Sequence, residues 1–212
     1  MSIAASTYAV LIERSDWFVE LTLKHLHIAL TSIAIATFIG VPVGVFIADK
    51  QMLSTVVLSV VNVTYTIPSI AMFGFLVAIT GVGDKSAIIA IVVYALLPII
   101  RNTLAGLQNV DKDMIKTATA MGSTRWQLLY KIELPLAMPV IFSGFRSMVV
   151  MVIAMTGIAS FIGAGGLGVA IWRGITTYKA ELTLAGSFLV ASLAILADLL
   201  LGIAEKILKK NR

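Results

Sequence analysis

Cysteine is absent from this 212-residue chain. That excludes a disulfide framework, a thiolate metal site and a cysteine nucleophile. Histidine occurs only as His25 and His27, too few for a zinc site built from this chain alone, so no metal is expected. Charge is scarce: 13% of residues are Asp, Glu, Lys or Arg, against about 25% in a soluble domain. What remains is 59% hydrophobic with a mean hydropathy of +1.00, where soluble domains average about 45–50% apolar. The composition is that of an integral membrane protein. The apolar runs are continuous rather than alternating, which argues for helices over strands. No G-x-x-x-x-G-K-[ST] segment occurs, so the chain binds no ATP of its own and no catalytic residue is expected. Carboxylates deep inside the apolar runs are scarce, Asp198 alone lying away from the run ends, and no inverted repeat is evident, which argues against a self-sufficient ion-coupled carrier. The net charge of +5 is read as basic residues on one membrane side, not as a nucleic-acid surface. The start of the chain is not basic, and Glu13, Arg14 and Asp16 interrupt any apolar core, so no cleavable leader is expected.

Five stretches are long enough for the ~20 apolar residues that a spanning helix needs: 26–48, 54–80, 86–107, 138–161 and 181–206. The second would be about 40 Å long as one helix. Cut at Pro68 it would leave two pieces too short to cross. The expectation is therefore one long span kinked or tilted at Pro68, with six spans as the alternative. Tyr8, Leu11, Ile12, Phe18 and Val19 recur at helical spacing and predict an interfacial helix within an outer segment, residues 1–25. With five spans, ten basic residues fall on the side of Lys50, the 108–136 loop and the C-terminus, counting Arg101 near the end of the third stretch. Five fall on the other: Arg14, Lys24, Lys85, Arg173 and Lys179. The positive-inside rule puts the N-terminus outside and the C-terminus and the 108–136 loop in the cytoplasm.

That loop, IKTATAMGSTRWQLLYKIELPLAMP over 115–139, is a polar island in an apolar chain. Asp111 or Asp113 can cap a short helix running to Met121. Gly122 permits a left-handed turn. Ser123 or Thr124 can cap a second short helix, 125–132, carrying Trp126, Leu129 and Tyr130. Pro135 and Pro139 are expected to stop that helix and start the next span. A helix–glycine–helix knob of this kind can fill a groove on a partner. Its plainer use is an amphipathic loop lying on headgroups.

The spacing from Lys116-Thr117-Ala118 through Gly122 to Ile132, Leu134 and Pro135 resembles the coupling loop of ABC-importer permeases. The family has glutamate-Ala-Ala at the head of that loop. Lys116 departs from it, which is consistent with a second, paralogous permease carrying the acidic version. The resemblance extends over residues from about 20 to 205. Tyr65-Thr66-Ile67-Pro68-Ser69-Ile70-Ala71, Pro98 to Leu107, and Ile162 to Gly168 are similar to permeases for compatible solutes such as glycine betaine, carnitine and choline. Permeases for methionine or another small metabolite are the alternative. The resemblance implies an all-α type I importer permease fold in the plasma membrane, spanning 20–206, with Lys116, Thr117, Ala118, Gly122, Trp126, Ile132, Leu134 and Pro135 as the ATPase-coupling residues. It implies as partners a cytoplasmic ATPase dimer holding ATP and Mg, a second permease copy or paralogue, and an extracellular substrate-binding protein. No cofactor is implied in this chain.

The candidate translocation path comprises Asn62, Thr64, Tyr65 and Pro68 of the second stretch and Tyr94 of the third. Polar groups near the bilayer midplane need protein or cavity water, and the two tyrosines could face a quaternary ammonium. Helix–helix hydrogen bonding and packing are the plainer readings. Met148, Met151 and Met155 share one face of the fourth stretch, as path or as packing. Gly40 and Gly44 form a GxxxG and predict close helix contact. The Gly163–Gly168 segment lacks a preceding strand and is read as a flexible outer turn. Arg146 and Asp198 each lie about 12 Å inside a span from the same side. They are expected to form a buried pair, with snorkelling of Arg146 as the alternative.

Overall fold

A computed structural model describes residues 2–210, with side chains described as far as residue 208. The described residues are helical, with short turns between elements. The elements are α1 (Ile3–Glu13), α2 (Ser15–Ile47), α3 (Gln51–Thr66), α4 (Ser69–Thr80), α5 (Asp84–Gln108), α6 (Lys112–Ala120), α7 (Arg125–Leu128), a π-helical turn (Leu129–Glu133), α8 (Leu134–Ala159), a 3-10 turn (Ser160–Ile162), α9 (Gly168–Thr176) and α10 (Ala180–Lys210). Four helical segments are long and apolar enough to cross a membrane, or five if the bent α3–α4 pair is one span. No sixth candidate appears among the described residues.

Helix α5 is central. It packs on α2 and α8 and touches α3 and α4, while α10 closes on α8 and α9. The core is aliphatic, with Ile28, Ala36, Ile91, Ala95, Ile99, Met148 and Val152 fully buried or nearly so. Small residues let the backbones approach, as they do where lipid supplies no hydrophobic drive between helices. A Cβ on Gly40 would stand 2.2 Å from Ile99, and one on Gly44 would stand 2.6 Å from Thr103, so the GxxxG of α2 seats directly on α5. Gly144 of α8 does the same against Asn102, where a Cβ would lie at 2.3 Å. The outer faces stay apolar and unpartnered, as with Ile195, Leu199 and Ile203 of α10, the surface expected against lipid tails.

Three expectations are corrected. The 54–80 stretch is not a single helix bent at Pro68: α3 and α4 meet at 96°, as a broken span or a re-entrant loop. The residue before a proline is pushed out of the α region. Ile67 accordingly has φ −66° and ψ 128°, so the helix ends at Thr66 instead of bending through Pro68. The first long helix begins at Ser15, so Phe18 and Val19 belong to it and the separate N-terminal helix is α1. The Gly163–Gly168 turn is not loose. Gly163, Gly165 and Gly166 have φ of 76°, 84° and 78°. Ala164 and Leu167 are buried, and a Cβ on Gly166 would stand 3.3 Å from the ring of the buried His25.

The glycine contacts make Gly44→Leu a direct probe of the α2–α5 seat. Overpacking costs about 1–3 kcal/mol. The variant is expected to unfold at lower temperature than the parent in detergent, measured by circular dichroism.

Candidate functional site

The loop between α5 and α8 is built by local capping. Asp111 is the N-cap of α6, its side chain accepting from the Asp113 amide at 2.8 Å. After α6 the chain reverses on Gly122, at φ 87°. The Gly122 amide donates to Thr119 O at 2.9 Å and the Ser123 amide to Ala118 O at 3.1 Å, the paired bonds of a Schellman C-cap. Thr124 then caps α7 in a reciprocal capping box with Gln127. Of the four capping candidates named from sequence, Asp111 and Thr124 hold the N-cap positions.

The second loop helix does not stop at the prolines. α7 runs through the π turn into α8 without a break. Pro135 has no amide to give to a carbonyl four residues back, and its ring would crowd that carbonyl. The wider turn, in which the Leu134 amide reaches Leu129 O, absorbs the misfit while keeping the axis continuous. Leu128 and Leu129 are buried under the turn and Ala118 under α6, with Ile132 and Leu134 half-buried. Lys116 and Thr117 are exposed, and Lys116 pairs with Asp113 at 2.9 Å on its own helix. Trp126 and Tyr130 stack at 5.8 Å and are both largely exposed, as is Met121. Beside them a groove of about 540 Å³ opens between Trp126, Tyr130 and Leu134 and the α2 residues Val41, Val45 and Phe46.

Arg125, not singled out from sequence, fixes this knuckle to the membrane bundle. It ion-pairs with Asp49 just beyond α2 and donates to Glu133 at 2.5 Å. Glu133 is buried, so the guanidinium is what allows a carboxylate beneath the turn. A pair 76 residues apart leaves no local trace in sequence.

The candidate path residues fall into two groups. Tyr65 and Tyr94 meet edge to face at 5.7 Å, and the Tyr65 hydroxyl reaches Met151 Sδ at 3.7 Å. The Tyr94 hydroxyl donates to Ile67 O, capping the carbonyl exposed by the helix break at Pro68. Asn62 accepts from Arg101 at 2.7 Å. Thr64 spends its hydroxyl on Val60 O of its own helix. Met148 and Met155 lie in the protomer core, so of the three methionines Met151 alone joins the tyrosines. Arg146 and Asp198 form a bidentate pair, at 2.6 and 2.7 Å, that is part-exposed rather than buried. Arg146 also reaches Glu205 at 3.0 Å, making a triad. Glu205 sits seven residues after Asp198, two helical turns along one face, and that spacing was the available signal.

The loop is thus a compact knuckle, locked by its caps and by the Arg125 ion pairs to a bundle of apolar helices. The family model for "Binding-protein-dependent transport system inner membrane component" matches residues 40–210. The chain belongs to that family. It is a multi-pass permease component of the cell membrane. Among its relatives, the carnitine transport permease protein OpuCB of Listeria monocytogenes is 41% identical over 184 residues, covering 87% of this chain and 84% of that one. The osmoprotectant import permease protein OsmW of Salmonella typhimurium is 38% identical over 200 residues, covering 92% and 93%. The choline transport system permease protein OpuBD of Bacillus subtilis is 40% identical over 193 residues, covering 89% and 85%. A solved chain of the inward-facing MetNI methionine ABC transporter superposes with a TM-score of 0.80 at 24% identity, over 91% of this chain and 96% of that one, and shows the type I permease fold.

Arg125→Ala strands Glu133 beneath the turn. Leaving a buried polar group unpaired costs about 1–3 kcal/mol. Faster amide exchange across 112–133 is the expected outcome, and adding Glu133→Gln is expected to recover part of the protection.

Proposed function

We propose that this permease is the membrane-spanning subunit of an ATP-driven importer for compatible solutes of the quaternary-amine class: glycine betaine, carnitine or choline. The observation that carries the reading is the set of relatives whose names specify these solutes at 36–41% identity over most of both chains. The methionine reading has only the fold likeness behind it. In this proposal residues 20–206 form the permease domain, 1–25 an outer interfacial segment, and 108–136 the coupling loop. The N-terminus lies outside and the C-terminus in the cytoplasm, as the ten-to-five split of basic residues favours. A second permease copy or paralogue completes the path, an extracellular binding protein delivers the solute, and a separate ATPase dimer binds ATP and Mg and hydrolyses the nucleotide.

The loop residues then divide by role. Gly122 allows the reversal between α6 and α7. Trp126, with the neighbouring Tyr130 and Met121, offers the exposed face that an ATPase groove would receive. Lys116 and Thr117 lie on the outer side of α6, Ala118, Ile132 and Leu134 seat the knuckle on the bundle, and Pro135 stands exposed at the start of α8. Closure of the ATPases on ATP pushes the knuckle, and the push tilts α8 against α5. The α3–α4 break with Asn62, Thr64, Tyr65, Pro68 and Tyr94 lines the path that opens, together with Met151. Met148 and Met155 support it from the core. The Arg146–Asp198–Glu205 triad holds α8 to α10 while the rest moves.

The test is uptake into proteoliposomes holding the complete transporter, with radiolabelled glycine betaine, carnitine, choline and methionine. ATP-dependent uptake of at least one quaternary amine and none of methionine is expected. Uptake of methionine alone would overturn the solute assignment. Gly122→Val, forced to φ 87°, and Trp126→Ala are each expected to lower uptake tenfold or more while the binding protein still binds solute.

A further inference from the structure

The two arginines within spanning helices differ in what neutralises them. Arg146 meets two carboxylates. Arg101 meets none among the described residues: its Nη2 donates to the Asn62 amide oxygen, and the side chain is otherwise exposed. Arg101 lies seven residues inside α5, about 10 Å from its end. A guanidinium at that depth has to face protein or a water-filled cavity.

Its neighbours form a strip. Tyr94 stands seven residues before Arg101, two turns along the same face of α5. Tyr65 leans edge-on against Tyr94 and is 45% exposed, so one ring of the pair remains open. Asn62 stands three residues before Tyr65 on the same side of α3. The strip therefore carries a cation and an amide at one end and an aromatic surface at the other, about 10 Å along the axis. The amide aims the guanidinium without cancelling its charge. A guanidinium is a preferred partner for a carboxylate, and a tyrosine face attracts a quaternary ammonium where no carboxylate stands by.

We propose that Arg101, Asn62 and Tyr65 form a solute subsite selective for zwitterions. Arg101 takes the carboxylate of a betaine and Tyr65 takes its quaternary ammonium. The inference rests on the quaternary-amine reading and refines it: the subsite favours glycine betaine over choline, which lacks a carboxylate and meets only repulsion at Arg101.

Binding of tritiated glycine betaine and choline to the nanodisc-embedded permease–ATPase complex, without binding protein, tests the subsite. Arg101→Gln is expected to weaken glycine betaine binding tenfold or more while choline binding holds or rises. Arg101→Lys, which keeps charge without the fork, is expected to fall between. Tyr65→Leu is expected to weaken both probes. Equal loss of both probes in Arg101→Gln would give Arg101 a structural role and overturn the subsite. So would unchanged glycine betaine binding, or a parent complex that binds neither probe. Uptake by the parent separates the two ideas. A parent that imports glycine betaine while Arg101→Gln binds it normally defeats the subsite alone. A parent that imports no quaternary amine defeats both.

Discussion

A peptide carbonyl inside a bilayer needs a donor, because the hydrocarbon supplies none. Pro68 ends α3 and leaves the Ile67 carbonyl outside any helix, and the Tyr94 hydroxyl supplies what is missing. That single bond ties the break to the central helix. It holds the Tyr65 ring against Tyr94 and sets α3 where Asn62 reaches Arg101. The polar face of the protomer is organised around it. Two short helices at 96° persist because their junction is anchored, not because either could cross alone.

Charge is used in two ways in the loop and along α8. The exposed Lys116–Asp113 pair is of the kind worth about 0–1 kcal/mol, so it steers local helix geometry at most. Arg125 and Arg146 each answer carboxylates that are little exposed, Glu133 and Glu205. Removing such a partner strands a charge, with costs of about 3–5 kcal/mol in fully buried cases. Both are fastening points: one holds the loop to α2, the other holds α8 to α10. Between them α5 and α8 touch through glycine and small side chains, a contact that packs closely yet carries no fixed ionic link.

Local chemistry was legible from the residues and distant chemistry was not. Gly122 as the left-handed reversal, a Ser123 or Thr124 cap at the start of α7, which Thr124 takes, and the close seat of Gly40 and Gly44 follow from spacing of a few residues. The meeting of Arg146 with Asp198 followed from equal depth in two spans, but Glu205 was overlooked although it shares a helix face with Asp198. The right-angled break at Pro68 was underestimated, since a proline in an apolar run allows a kink or a full stop and only neighbours decide. The through-running α7–α8 axis was missed for the converse reason. Prolines usually end helices, and a π turn that accommodates one has no simple sequence mark. The Arg125 clamp joins residues far apart in the chain, which periodicity does not register.

The continuity of α7, the π turn and α8 has a mechanical consequence. From Arg125 to Ile162 the chain forms one helical segment of 38 residues, a rod of about 57 Å. In the proposed coupling, a force applied at its foot meets no non-helical joint along the segment and would arrive at the far end as a swing. On that proposal, a tilt too small to disturb the packing near the fulcrum would displace the distant tip by several times as much, and stroke would come from leverage rather than from refolding.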